Sequence, residues 1–508
     1  MKTFTKQRGL LEMSTTAINN QQYNKAKLWE IGFFALNNTA TNLYMFILAF
    51  VSYYAAGIAG IAVVVVSTIL MSMRIFDGIT DPIVGFMVDK TEGKFGKFRP
   101  YMIIGNIILA GSVLVLYNVT HLIPESFRLI FFIFIYAVHI IGYTCQTSVT
   151  KAAQTVLTND PKQRPLFAVF DGIYNTLLFT GGQVYVASYL IKKYGDFNME
   201  LFTELNTLAM ILAAVFTVLA AIGLSSKDKK EYFGLAEETV QTGFRDFWPI
   251  LKKNKPLLKL ITAVTVDKLA FSLLRHAVVV VMLFGILIGD YELSGTISMI
   301  TIVPTLLITF WAVAKARKTG MKKAFLFSTW IALGAFTSLI GMFMFIDGSA
   351  ISMSNFGFAT ILFIALYTMA MGFGQVPSTL VNPMIADVSD YETATSGRYV
   401  PGMIGTMFSF IDKLITSLAP AIVGFAVALI GFKDAFPTVT DALTPELKLV
   451  TMILAFGIPA LALTISGLII SRYELSAEKM EEVQATIAAR KSKHVAEEAD
   501  LLPKVENA

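Results

Sequence analysis

The sequence predicts an all-α polytopic membrane protein, with twelve transmembrane helices in two six-helix bundles and both termini cytoplasmic. Three observations predict it. Of 508 residues, 55% are hydrophobic and only 15% charged, against roughly 25% charged in a soluble domain. The apolar runs are continuous over lengths of roughly 18 residues or more, as helices crossing a bilayer require, whereas barrel strands alternate. Basic residues cluster in alternate loops. A soluble enzyme, a disordered scaffold and a coiled coil are excluded on these grounds.

Segment 1–27 is polar and lacks the apolar core of a cleavable signal, so the first span is expected to stay in the mature chain. The first six spans read as Ile31–Tyr54, Ile61–Val88, Tyr101–Val119, Leu129–Leu157, Leu166–Ile191 and Thr207–Leu224. The second six read as Leu257–Ile288, Ser294–Ala314, Phe325–Phe345, Phe356–Ala386, Ile404–Gly431 and Val450–Ile470. Lys90, Lys94, Lys97 and Arg99 follow span two, Lys162 and Arg164 follow span four, and Lys315 to Lys323 follow span eight. The positive-inside rule puts those loops and both termini in the cytoplasm. The net charge of +5 marks those loops and implies no nucleic-acid partner. The lone cysteine, Cys145, excludes a disulfide framework and a Cys-based metal site.

A charged stretch at 225–255 divides the chain into bundles at 28–224 and 256–472. This is the layout of major facilitator transporters, with a pathway between the halves. The tail, 473–508, turns polar. Ser476 is a candidate N-cap, Glu478, Glu481 and Glu482 sit early and Arg490 and Lys491 late, as a helix dipole favours. Met480, Val483 and Ile487 give this helix an apolar stripe for packing beneath the bundle.

An ionisable side chain at mid-membrane costs about 2.5–3.5 kcal/mol on insertion scales, so it must be paired or line a wet cavity. Span two carries Arg74, Asp77 and Asp81 at three- and four-residue steps, hence on one face. Two carboxylates with hydroxyl neighbours suit a monovalent cation or a shared proton; the plainer reading is an Arg74–Asp77 pair joining helices. Span four has a polar stripe of His139, Tyr143, Thr147 and Lys151, flanked by Thr144, Gln146, Thr150 and Gln154. Span one offers Asn37, Asn38, Thr41 and Asn42; span seven Asp267, Lys268, Arg275 and His276; span ten Gln375, Ser378 and Asn382. On span eleven Asp412 and Lys413 point about 100° apart, so one of them is central, and Lys413 is favoured. The asparagines can instead be interhelical hydrogen bonds, His139 a packing residue, Lys151 a partner of Asp171, and Asp267 and Lys268 a neutralised pair.

The run from Arg74-Ile-Phe-Asp77 through Asp81-Pro82 and Gly85 to Asp89, continued by Gly96-Lys97-Phe98-Arg99-Pro100, resembles the glycoside–pentoside–hexuronide:cation symporter family. The likeness is to its melibiose-permease-like branch. A second block, Asp387, Asp390-Tyr391-Glu392, Gly397-Arg398, Gly402 and Lys413, agrees with it. The resemblance implies that Asp77, Asp81 and Thr144 hold the coupling cation, Na+ or H+, with no other cofactor. It implies that Arg74 and Lys413 stand beside the sugar and that Asn42 lies near a sugar-contacting position on span one; the polar residues inside the spans add Asn38, Tyr143, Thr147, Lys151, Lys268 and Gln375 as candidate substrate contacts. Two departures stand out. Thr147 replaces the aspartate that contacts sugar hydroxyls in that branch, and Lys151 replaces the tryptophan one turn on. The cation half of the site is retained and the substrate half is rewritten.

The expected function is therefore a symporter, a monomer in the plasma membrane, driven by Na+ or H+ and taking up a sugar. The sugar is either neutral or a uronide, since a bound cation would leave the intramembrane charges net positive. The alternative is a transporter of lysophospholipids or other amphiphiles. No HExxH, nucleophile elbow or P-loop is present, so catalysis and ATP-driven transport are not expected.

Overall fold

The structure, a computed structural model, describes residues 24–91, 93–158, 160, 163–229, 253–354, 356–397, 401–487 and 489. The expectations for segment 1–23, for most of the central linker, and for Arg398, Arg490 and Lys491 lie outside the described residues.

Among the described residues the chain is helical with no strand. The first six helical stretches are Leu28–Ile58, Val63–Lys90, Arg99–Leu122, Glu125–Leu157, Arg164–Val184 (continued by Tyr185–Leu190 and Ile191–Tyr194) and Met199–Leu224. The next six are Lys255–Leu274 with Ala277–Ile288, Glu292–Thr319, Met321–Phe345, Phe358–Ser396, Pro401–Thr416 with Leu418–Leu429, and Pro445–Ser471. Ten are long and apolar enough to cross a membrane, and the seventh, counted as one broken span, makes eleven. The fifth is the remaining one; it carries Asp171, Asn175 and Gln183.

Two departures from the sequence reading have physical causes. Span seven was expected to be continuous but bends by 57° after Leu274. His276 takes an extended backbone there and its ring accepts from the Val278 N–H, capping a second helix. Span ten runs ten residues past Ala386, to Ser396. Its polar end continues the helix beyond the apolar stretch that hydropathy detects.

Each half packs mainly upon itself, span one against spans five and six, and span seven against spans eleven and twelve. The halves meet where span two touches span eleven and span five touches span eight. These contacts gather at one end of the molecule. The Val63 N–H donates to the Lys433 carbonyl at 2.9 Å, Tyr53 Oη to the Pro437 carbonyl at 3.1 Å, and Gln183 Nε2 to Ser294 Oγ at 2.9 Å. Tyr53 stacks on Phe197 at 4.2 Å, with Phe436 and Tyr291 from the other half against the pair. Gly424 lies so close to Ser67 that a Cβ would fall 1.8 Å from Oγ.

The apolar cores repeat this asymmetry. One cluster takes residues from both halves, from Tyr44 and Tyr54 to Phe284, Phe343 and Phe456. At the end bearing Ala26 and Tyr473 each half has its own, Ala26–Leu224 in the first and Leu257–Leu475 in the second. The halves are thus fused at one end and separate at the other.

A helix at 477–487 lies against the second half. Ser476 Oγ accepts from the Lys479 N–H, Val483 is buried, and Gln484 Nε2 donates to Asp390 at 2.7 Å.

Candidate functional site

Span two brings its acids to the junction between the halves, and span eleven answers with a base. Helix Pro401–Thr416 ends one turn beyond Lys413, where the negative end of the helix dipole favours an ammonium. Lys413 Nζ donates to Asp77 Oδ2 at 3.1 Å and to Asp81 Oδ2 at 2.6 Å. Asp77 is buried, while Asp81 and Lys413 are about a third exposed. The Arg74–Asp77 pair offered by the plainer reading is absent; the lysine takes both carboxylates.

The other oxygen of Asp77 faces span four. Thr144 Oγ1 lies 3.3 Å from Asp77 Oδ1, 3.0 Å from the Ile140 carbonyl and 2.9 Å from Thr80 Oγ1. Thr80 in turn donates to the Asp77 carbonyl at 3.0 Å. A threonine has a single proton, so it cannot serve both Asp77 and Ile140. Donating to Ile140 leaves a lone pair on the side of the Asp77 carboxylate. Two carboxylates and one or two hydroxyl oxygens are a hard-cation donor set. Among the described residues no group of three or more His, Cys, Asp or Glu could hold a metal ion.

Beside this cluster lies a cavity of about 240 Å³. Its lining is Asn38, Arg74, Asp77, Asp81, Tyr143, Thr147, Thr150, Lys151, Lys413 and Thr416. Of the nine residues expected to meet substrate, six are here together: Asn38, Arg74, Tyr143, Thr147, Lys151 and Lys413. The other three are elsewhere. Asn42 donates to Asn175 at 2.7 Å. Lys268 pairs with Asp412 at 2.8 Å, and Gln375 accepts from Arg275 at 2.6 Å. Thr150 and Thr416 were not in that set. Thr150 continues the polar face of span four and Thr416 stands one turn past Lys413, so helical periodicity was the available signal.

The neighbouring polar groups are mostly structural. Asn37 donates to Thr150 Oγ1 and the Gln146 carbonyl, and Thr41 to Gln146 Oε1, tying span one to span four. His139 meets Ser112 at 2.8 Å and is buried, a packing histidine. Asp267 accepts from Ser466 at 2.7 Å rather than neutralising Lys268. Asp171 accepts from Asn38 at 2.6 Å and leaves Lys151 to the cavity. Among the described residues Arg74 and Lys151 have no hydrogen-bond or ion-pair partner. The lining therefore carries three cations against two carboxylates.

A polar, charged cavity between two helical halves that are joined at one end is the apparatus of a secondary transporter. The chain belongs to the MFS/sugar transport protein family, whose model matches residues 33–477. It is 23% identical over 469 residues to the glucuronide carrier protein homolog of Escherichia coli, covering 90% of this chain and 95% of that one. It is 22% identical to the isoprimeverose transporter of Lactiplantibacillus pentosus, covering 85% and 86%. Among solved structures, a nucleoside transporter superposes with TM-score 0.56 at 12% identity, over 88% of this chain and all of the other. A D-xylose–proton symporter superposes with TM-score 0.55 at 13% identity, over 88% and 97%. These last two likenesses concern the fold. The protein is a membrane transporter of the major facilitator superfamily, not an enzyme.

Proposed function

We propose that the protein couples inward movement of Na+ or H+ to uptake of a sugar acid, by alternating access between bundles 28–224 and 256–472 joined through 225–255. The termini and the separated ends of the halves are cytoplasmic in this reading, so the structure corresponds to an inward-facing state. The coupling cation binds Asp77 and Asp81 with Thr144. Lys413 occupies the same carboxylates once the ion has left, so ion and ammonium exclude each other.

The observation that carries the substrate class is the pair of unpartnered cations, Arg74 and Lys151, facing the cavity. A carboxylate on the sugar gives the Arg74 guanidinium a bidentate partner, while Asn38, Thr147 and Thr150 supply hydrogen bonds to hydroxyls. The first relative named above is a glucuronide carrier homolog, which agrees with this reading. The amphiphile alternative needs an apolar wall beside the polar site, and Tyr143 is the single large apolar surface in the lining. The working unit in this reading is a monomer.

A thermal-shift panel tests this. Uronates should raise the melting temperature more than neutral glycosides, the shift should grow with sodium or with lowered pH, and Lys151→Gln should remove the uronate preference. Stabilisation by neutral glycosides alone would overturn the sugar-acid reading, and stabilisation by lysophospholipid alone would overturn the sugar.

A further inference from the structure

We propose that the crevice between the first, fifth and sixth spans is a binding site for an amine-bearing zwitterionic phospholipid. The acyl chain lies in the crevice and the head group against Glu200 and Lys193.

The crevice has a volume of about 510 Å³ and a lining that is apolar almost throughout, with Leu43, Phe46, Leu177, Leu208 and Leu212 representative of it. Gly181 opens its wall, where a Cβ would meet nothing within 4 Å. Leu177 and Leu208 face outward from the bundle, 66% and 39% exposed. On helices that cross a bilayer, such a surface is covered by lipid chains rather than water.

The crevice does not end in apolar surface. Through Tyr185 and Leu208 it runs into a second depression, at the junction of spans five and six, lined by Glu200, Glu204, Tyr194 and Thr203. Between Glu200 and Phe216 the sixth span rises by about 24 Å at 1.5 Å per residue. One leaflet with its head groups is roughly 20–22 Å deep, half of the ~40–45 Å bilayer. The two lengths agree to within about 4 Å, so a single lipid reaches from the polar mouth along nearly the whole crevice.

The polar end is selective in charge. Glu204 is satisfied from within, by Lys193 and Tyr194 at 2.6 Å each and by Tyr185 at 3.0 Å. Glu200, in the first turn of its helix, has no hydrogen-bond or ion-pair partner among the described residues. Glu200, Glu204 and Lys193 together leave this mouth one charge negative, which repels an anionic head group. A phosphoethanolamine offers its ammonium to Glu200 and its phosphate to the one proton of Lys193 not used by Glu204 and Tyr189. Tyr185, Tyr189 and Tyr194 cluster at the same end, as aromatic residues do at the membrane–water boundary. This site shares no residue with the charged cavity between the halves.

The test uses the full chain in nanodiscs of equimolar phosphatidylethanolamine, phosphatidylcholine and phosphatidylglycerol, then detergent extraction and mass spectrometry of the retained lipid. Phosphatidylethanolamine should be retained in preference to phosphatidylglycerol by about tenfold, the effect of one charge-assisted contact. Glu200→Gln should keep the lipid but lose that preference. Gly181→Phe should lose the lipid, and Leu212→Trp, which fills the crevice from the sixth span, provides a second variant should the first misfold. Equal retention of all three lipids, or undiminished retention in the filled variants, would overturn the proposal.

Discussion

In the proposed mechanism Lys413 occupies the carboxylates that bind the coupling ion. Replacing it by Gln removes the internal competitor for Asp77 and Asp81, so the cation should bind more tightly and leave more slowly. Concentrative uptake should then fall while substrate counterflow persists; equal loss of both would contradict this role. Asp81→Asn should abolish cation-dependent accumulation, and unchanged concentrative uptake in that variant would refute the assignment. Thr144→Val deletes the hydroxyl proposed as a neutral oxygen ligand, a contribution of about 1 kcal/mol. It should weaken cation affinity roughly fivefold, as read by the sodium or proton dependence of transport. The identity and facing of these residues could be read in the sequence, because charges inside apolar runs are rare and three- and four-residue spacing fixes a face. Their partners could not. Nothing in the sequence told Lys268 to take Asp412, or Asp171 to take Asn38, since these pairings depend on interhelical distance.

At the scale of the elements, glycine decides how closely span two meets span eleven. Gly424 accepts Ser67 against its backbone, and any larger residue must push the two halves apart there. Gly424→Val should bias the protein towards opening at that end. With Cys145→Ser and Ser67→Cys in place, a membrane-impermeant thiol reagent should label position 67 faster when Gly424→Val is added than in the parent chain; unchanged labelling would mean the contact carries no weight. Most helical stretches could be read from hydropathy to within a few residues. The exceptions were set by side-chain chemistry that hydropathy does not register. The break at Arg275–His276 contains no glycine or proline to announce it, and the polar end of span ten looks like loop by composition. The π-helical turns at Tyr54–Ile58 and Val281–Ile288 likewise leave no mark in a hydropathy pattern, although they end spans one and seven at equivalent points of the two halves.

For the whole molecule, the joined end must part if the halves are to rock. The Val63–Lys433 backbone contact brings those two residues within reach of a disulfide. In a chain with Cys145→Ser, the pair Val63→Cys and Lys433→Cys should stop transport when oxidised and restore it on reduction, with either single variant active. Transport by the oxidised pair would exclude rocking about this end. The two-bundle plan was foreseen from the span count and the charged stretch at 225–255. The direction in which the halves splay was not, because apolar spans read the same whether their core is shared or separate.

The seating of Lys413 between Asp77 and Asp81 also has an electrical consequence. A carrier that has released its ion and cargo must reorient empty and take its fixed charges through the membrane field. The seated cluster of Asp77, Asp81 and Lys413 counts as one negative charge, and Arg74 and Lys151 turn the lining as a whole one charge positive. Each elementary charge carried across 100 mV is worth about 2.3 kcal/mol, so the lysine gives the field a single positive charge to act on in the empty return, where the two aspartates with Arg74 and Lys151 alone would leave none.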